Sequence, residues 1–115
     1  MAYSEFQADR IRFRLRQNIT VEKRMMGGLI FMVNGAMCLG IDYDKKENED
    51  RLMVRVGKLN YIALLGQRGS GPMDFTGKVL NGFLFIRADG FDTDADLDFW
   101  VKMALEFNSL LSNPR

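Results

Sequence analysis

Asn34-Gly35 stands between two apolar runs, Leu29-Ile30-Phe31-Met32-Val33 and Ala36-Met37-Cys38-Leu39. Asn-Gly is the preferred two-residue connection of a β-hairpin, because both turn positions take positive φ. The turn predicts a register in which Val33 lies opposite Ala36, Met32 opposite Met37, Phe31 opposite Cys38 and Ile30 opposite Leu39. One face of the hairpin then carries Leu29, Phe31, Val33 and Cys38. The other carries Ile30, Met32, Met37, Leu39 and Ile41. An antiparallel hairpin with one wet side alternates apolar and polar residues. Here both sides are apolar, so both need cover, from helices or from another subunit.

The flanking segments supply candidates for that cover. Residues 4–18 alternate like a strand at Ile11-Arg12-Phe13-Arg14-Leu15-Arg16, but Ala8, Ile11, Leu15 and Ile19 also form a helical stripe. Ser4 with Gln7 three residues on matches a helix start, and this decides for a helix. Tyr3, Phe6 and Phe13 fall on a second face of it and imply burial on both sides. Residues 21–26 add a strand ahead of Gly27-Gly28. Residues 42–50 read as a charged connector, and residues 51–56 as a strand with Leu52, Val54 and Val56 on one face and Met53 and Arg55 on the other. Residues 57–65 predict a short helix with a Leu59, Ile62 and Ala63 stripe, capped by Gly66. Residues 66–77 read as a glycine-rich loop and residues 79–87 as a strand. The last element is a helix: Thr93 caps it, Asp94, Asp96 and Asp98 suit its positive start, and Leu97, Trp100, Val101, Ala104, Asn108 and Leu111 follow at helical spacing, with Pro114 just beyond. The expected order is α-β-β-β-β-α-β-α, an α+β domain with a sheet of about five strands and flanking helices, and residues 1–115 are expected to form a single domain.

Composition narrows the chemistry more than the fold. The 115 residues include no histidine and one cysteine, Cys38. Cys/His zinc sites, Ser-His-Asp triads and Cys-His pairs therefore cannot be built from this chain, and an intrachain disulfide is impossible. The expectation is a protein that is not an enzyme and uses no cofactor or metal. No apolar run exceeds five residues, and residues 1–5 lack the basic and apolar regions of a signal peptide, which predicts a cytoplasmic protein without a membrane span. Net charge is +1, but residues 1–24 carry +3, residues 42–51 carry −2, residues 52–87 carry +4 and residues 88–115 carry −4. Nucleic-acid binders are usually clearly basic. A dipolar chain suits self-association or a protein partner, and no tight DNA binding is expected of it alone.

The segment Glu22-Lys23-Arg24-Met25-Met26-Gly27-Gly28-Leu29-Ile30-Phe31-Met32-Val33-Asn34-Gly35 resembles the opening signature of the TfoX/Sxy N-terminal domain family, with Met26 where the family commonly has Phe. Arg51-Leu52-Met53-Val54-Arg55-Val56-Gly57, Pro72-Met73-Asp74-Phe75-Thr76-Gly77 and Asp96-Leu97-Asp98-Phe99-Trp100-Val101 continue the resemblance in the same order. The resemblance implies a secretion-chaperone-like α+β fold with a curved antiparallel sheet. It also implies kinship with bacterial regulators of natural competence for DNA uptake, which assist a cyclic-AMP receptor protein at promoters. Those regulators carry a second domain of helix-hairpin-helix character. The resemblance reaches only the first, so a stand-alone N-terminal-domain protein is expected.

Other motifs resolve more simply. Residues 71–79 imitate a phosphate loop but have five residues between the glycines and Val79 after Lys78, where Ser or Thr is needed. Arg10, Arg12, Arg14 and Arg16 point to different sides of a helix and are expected to pair with nearby acids. Asp89, Asp92, Asp94, Asp96 and Asp98 lack the EF-hand pattern and suit a helix start better. Asn18-Ile19-Thr20 matches a glycosylation acceptor without a secretory context. Cys38 reads as a buried structural thiol. The expected function is a regulatory, protein-interaction module, possessing a contact surface at Phe6, Phe13, Met26, Met32 and Met37 and forming a homodimer, with the transcription machinery as a second class of partner. The alternative is a small ligand-binding or enzymatic domain with a cleft near Tyr61 and Asp74.

Overall fold

The Asn34-Gly35 turn forms with φ of +51° and +83°, as its chemistry dictates. It joins two interior strands of an open six-stranded antiparallel sheet. This computed structural model describes residues 2–75 and 77–111, with Phe75 described in its backbone only. Helix α1 (Glu5–Arg14) leads into β1 (Thr20–Met25), β2 (Gly28–Val33), β3 (Ala36–Asp44) and β4 (Glu49–Arg55). Helix α2 (Lys58–Leu64), the hairpin β5 (Ser70–Phe75) and β6 (Lys78–Ile86), a 3-10 turn (Ala88–Gly90) and α3 (Asp94–Leu111) complete the chain. The sheet order is β1-β2-β3-β4-β6-β5, so β1 and β5 are its edges. The class is α+β with flanking helices, as expected, with one strand more.

The additional strand is β5. Its Ser-Gly-Pro sequence reads as a loop, but Pro and Gly are tolerated at a sheet edge, where one side of the strand needs no ladder. The connector expected at residues 42–50 shrinks to residues 45–48, because β3 and β4 extend over Asp42, Tyr43 and Asp44 on one side and Glu49 and Asp50 on the other.

The hairpin register holds only next to the turn. Val33 pairs with Ala36 and Met32 with Met37, but Phe31 then pairs with Leu39, Ile30 with Gly40 and Leu29 with Ile41. Cys38 is the extra residue of a β-bulge, and a bulge moves everything beyond it by one position. Leu39 and Ile41 therefore join Leu29, Phe31, Val33 and Cys38, not Ile30 and Met32.

That first face is the main core. The sheet contributes Phe31, Leu39, Leu52, Val54, Leu84 and Ile86 among others. The helices contribute Ala8 and Ile11 from α1, Leu64 from α2, and Leu97, Trp100, Val101 and Ala104 from α3. Ser4 caps α1, its Oγ accepting from the Gln7 backbone N–H at 3.3 Å. The Gln7 amide donates instead to Asp50 Oδ2 at 3.3 Å, so only half of a capping box forms. Thr93 Oγ1 accepts from Asp96 N–H at 3.0 Å at the start of α3. Trp100 is buried and donates from Nε1 to the Gly90 carbonyl at 3.1 Å. Asn108, read from spacing as part of the apolar stripe, donates from Nδ2 to the Val33 carbonyl at 2.9 Å and ties α3 to the hairpin end.

Several apolar positions sit where periodicity does not put them. Ile19 lies past the end of α1 and is exposed, as are Leu59 and Ile62 on α2 and Leu111 on α3. Helix α2 docks through Leu64 with Tyr61 and Leu65, not through Leu59, Ile62 and Ala63. Gly66 does not take a left-handed cap, since Leu65 ends α2 in helical geometry. Tyr3 joins the core, whereas Phe6 and Phe13 remain on the outside of α1, so α1 is buried on one side of this chain, not on two. Pro114 falls outside the described residues.

The charged segments close largely within the chain. Arg14 meets Asp98 at 2.6 Å and Asp94 at 3.2 Å. Arg10 donates to the carbonyls of Phe91, Asp92 and Thr93 at 3.1–3.3 Å. Arg68 pairs with Asp96. The basic first helix and the acidic start of the last one are thus each other's counterions.

Candidate interaction surface

The second face of the sheet has no helix on it. Side chains alternate across each strand, so the residues that do not enter the main core gather there. Ile30, Met53 and Met73 form a small buried cluster, with Met26, Met32, Met37, Leu80, Phe83 and Phe85 half-buried around it, and no helical residue belongs to it. Five of the chain's eight methionines are on this face. The centre is tight: a Cβ added at Gly40 would lie 2.7 Å from Ile30 Cδ1 and 2.9 Å from Met53 Cε. Only a glycine lets those two side chains meet over β3.

Arginines roof this face on either side of Met53, Arg51 toward one end of β4 and Arg55 toward the other. Asp42 is buried and receives Arg51 through two bonds, Nε to Oδ1 at 3.1 Å and Nη2 to Oδ2 at 2.9 Å. Arg51 also donates to Asp44 at 3.4 Å and lies 3.7 Å above the Phe85 ring. Arg55 sits between the rings of Phe83 and Phe107, at 5.3 Å and 5.4 Å. A guanidinium over a ring face gains cation–π attraction while keeping the ring from water. The face therefore combines soft, unbranched thioethers, aromatic rings and guanidinium groups stacked on them, of which Arg51 is neutralised by Asp42 and Asp44.

Of the five residues singled out from the sequence, the structure brings Met26, Met32 and Met37 together here. Phe6 and Phe13 lie in the helical layer on the other side of the sheet, 72% and 61% exposed. Arg16 packs 4.0 Å over the Phe13 ring. Sequence reasoning missed Met53, Met73, Phe83 and Phe85. The available signal was the alternation of β4, which already placed Met53 opposite the core-facing Leu52 and Val54.

Tyr61 and Asp74 do not converge. Tyr61 packs on the main core from α2, and Asp74 is exposed on β5. A hollow of about 370 Å³ lies elsewhere, between the start of α2 and the end of α3, lined by Val56, Gly57, Leu59, Phe107 and Leu110 together with Lys58 and Asn60. Its walls are mostly apolar, and its polar side chains are Lys58 and Asn60, both exposed, with no carboxylate beside them among the described residues. Among the described residues, no three His, Cys, Asp or Glu side chains gather as metal ligands. Cys38 is buried in the main core, and desolvation pushes its thiol up to about 12, against a smaller opposing pull from Arg55. A thiol so disfavoured as thiolate is a poor nucleophile. Among the described residues, no helix is long and apolar enough to cross a membrane.

The geometry defines a class: an open antiparallel sheet with helices on one face and an uncovered methionine-rich surface on the other. The model of the TfoX N-terminal domain matches residues 15–108, and the chain belongs to that family. Among curated proteins and among solved structures, none matches the chain.

Proposed function

We propose that this chain is a non-enzymatic protein-interaction module of the competence-regulator type, acting in the cytoplasm, and that the bare face of the sheet is its contact surface. The observation that carries this reading is the apolar cluster around Met32, Met37 and Met53 with no helix over it. Soluble proteins seldom leave a contiguous apolar face uncovered without a use for it, and methionine-rich faces adapt to partner side chains. Family membership supports a regulatory role, with a component of the transcription machinery as the partner. The near-neutral charge supports recognition of protein over nucleic acid.

Paired affinity capture tests the reading. Wild type and a Met32→Glu/Met37→Glu variant are presented to extract of the native cell. A protein retained by wild type and lost with the variant supports the surface assignment. Equal retention by both places the contact elsewhere. Fluorescence anisotropy with duplex DNA at physiological salt tests the other half, with binding no tighter than micromolar expected. Sub-micromolar affinity with a steep salt dependence would make the chain a DNA binder, because that slope counts neutralised phosphates.

A further inference from the structure

The two edges of the sheet differ in kind. Edge β5 carries Pro72 and a register irregularity between Pro72 and Asp74, two devices that blunt an edge against further pairing. Edge β1 has neither: its six residues pair with β2 without interruption, and all but Thr20 are exposed. The Ile19 carbonyl accepts from Asn34 N–H at 2.9 Å, so Ile19 points its backbone groups toward β2. Backbone direction alternates along a strand, so Val21, Lys23 and Met25 also point to β2. Thr20, Glu22 and Arg24 present free N–H and C=O groups outward.

We propose that β1 pairs antiparallel with β1 of a second copy of this chain, about a two-fold axis at Lys23, to make a continuous twelve-stranded sheet across the dimer. Pleat and backbone direction allow only registers that set even-numbered residues opposite even-numbered ones. An axis at Glu22 opposes Glu22 to itself, and an axis at Arg24 opposes Arg24 to itself. An axis at Lys23 opposes Glu22 to the second copy's Arg24, twice, and Val21 to the second copy's Met25, twice, at the cost of one Lys23–Lys23 pair. The outward groups of Glu22 and Arg24 then exchange backbone hydrogen bonds.

Charge on the helical side of this edge favours the same register. Glu5, Asp9 and Glu22 converge on the single guanidinium of Arg12, at 2.9, 2.7 and 2.7 Å. Three carboxylates on one cation leave the cluster net negative, although the Arg12 bond and the Tyr3 hydroxyl hold the Glu5 carboxyl below its usual range. Arg24 lies 5.8 Å from the Tyr3 ring and forms no ion pair among the described residues. The two-fold brings each copy's Arg24 to the other copy's acidic cluster. The inference stands apart from the bare-face reading, since edge pairing leaves Met32, Met37 and Met53 uncovered.

The test is self-association of the intact chain, read by sedimentation or light scattering at tens to hundreds of micromolar. Wild type is expected to approach twice its 13.2 kDa mass as concentration rises. Glu22→Arg and Arg24→Glu each turn both cross-strand pairs repulsive and weaken self-association by about tenfold or more. Mixing these two variants restores a dimer, because both pairs between positions 22 and 24 are again of opposite sign, and native mass spectrometry reads it as the heterodimer. Arg24→Pro removes an outward N–H, keeps the β1–β2 ladder and abolishes the dimer, with an unchanged circular dichroism spectrum. A mass that stays at the monomer value throughout overturns the proposal. So does a dimer indifferent to Arg24→Pro, or a mixture of the two charge variants that yields no heterodimer.

Discussion

The two faces of one sheet meet opposite fates. The strands alternate, yet β2, β4 and β6 are apolar on both sides: Phe31, Leu52 and Leu84 on one, Ile30, Met53 and Phe85 on the other. Three helices and the 3-10 turn cover the first face. The second closes over itself with half-buried methionines, phenylalanines and stacked arginines. The difference teaches that local pattern says which residues leave water, and connectivity says what covers them. Helices α1, α2 and α3 all return to the same side, so an equally apolar second side is left for something outside the fold.

The contrast predicts unequal costs of truncation. Trp100→Ala is expected to have the largest effect, about 3–5 kcal/mol, because it removes the largest core side chain. It also deprives the Gly90 carbonyl of its Nε1 donor. Chemical denaturation with a matched slope measures it, and a loss below about 1 kcal/mol would break the claim that the helix-covered face carries the stability. Met53→Ala tests the other face at its centre. Met53 is 1% exposed without help from any helix. About 2–3 kcal/mol is expected, toward the low end for a buried methionine because flexible neighbours can collapse into the space. An effect as large as that of Trp100 would make the bare face a second full core.

Asn108 shows how the covered face is fastened. Asn108→Ala leaves the buried Val33 carbonyl without its side-chain donor, and about 1–3 kcal/mol is expected from that loss. Asn108→Leu, which preserves bulk, is expected to recover less than half of it. Full recovery would show that packing, not the hydrogen bond, holds α3 to the hairpin.

These positions also mark what the sequence made legible. The Asn34-Gly35 hairpin, the first and last helices, and the opposed faces of β4 follow from turn chemistry, caps and alternation. The bulge at Cys38 does not, because Met37-Cys38-Leu39 is apolar throughout and a shift of one residue leaves no mark on the pattern. Strand β5 was hidden by Gly71 and Pro72, which are compatible with a strand only because it is an edge. The stripe of α2 misled because a short helix at the rim can dock by one turn, through Leu64, and leave Leu59 and Ile62 in water. Met26, Met32 and Met37 were visible as a cluster since all flank one hairpin. Met73 and Phe85 reach them only through long-range pairing, which spacing cannot show.

A titration compares the sulfurs of the two faces. The Cys38 thiol has its ordinary value of 9.0 in the unfolded chain and about 12 in the folded one, because burial disfavours the thiolate. Its folded value is raised, so its contribution is intact below pH 9 and is lost as pH rises toward 12. By linkage, about 1.4 kcal/mol is lost by one unit above the unfolded value. The difference in unfolding free energy between wild type and Cys38→Ala is expected to shrink by about that amount between pH 8 and pH 10. Alkylation at pH 8 is expected to leave Cys38 untouched until the chain unfolds. Rapid labelling of native protein would place the thiol near a surface.

The smallest effect on stability is expected where the functional claim is strongest. Met32 and Met37 are half-buried at the rim of the bare face. Truncation to alanine removes contacts on one side only, and solvent fills the space without leaving a sealed void. About 1 kcal/mol or less is expected for each, against about 2–5 kcal/mol for a fully buried methionine. Binding to the partner identified by capture is expected to fall far more, since interface energy concentrates in a few central side chains that become desolvated only in the complex. Measuring both quantities on the same variants separates the two roles. A variant that loses stability and keeps its partner makes these methionines part of the fold's own packing. One that keeps stability and loses its partner assigns them to recognition, and the uncovered face then differs from the covered one in purpose as well as in structure.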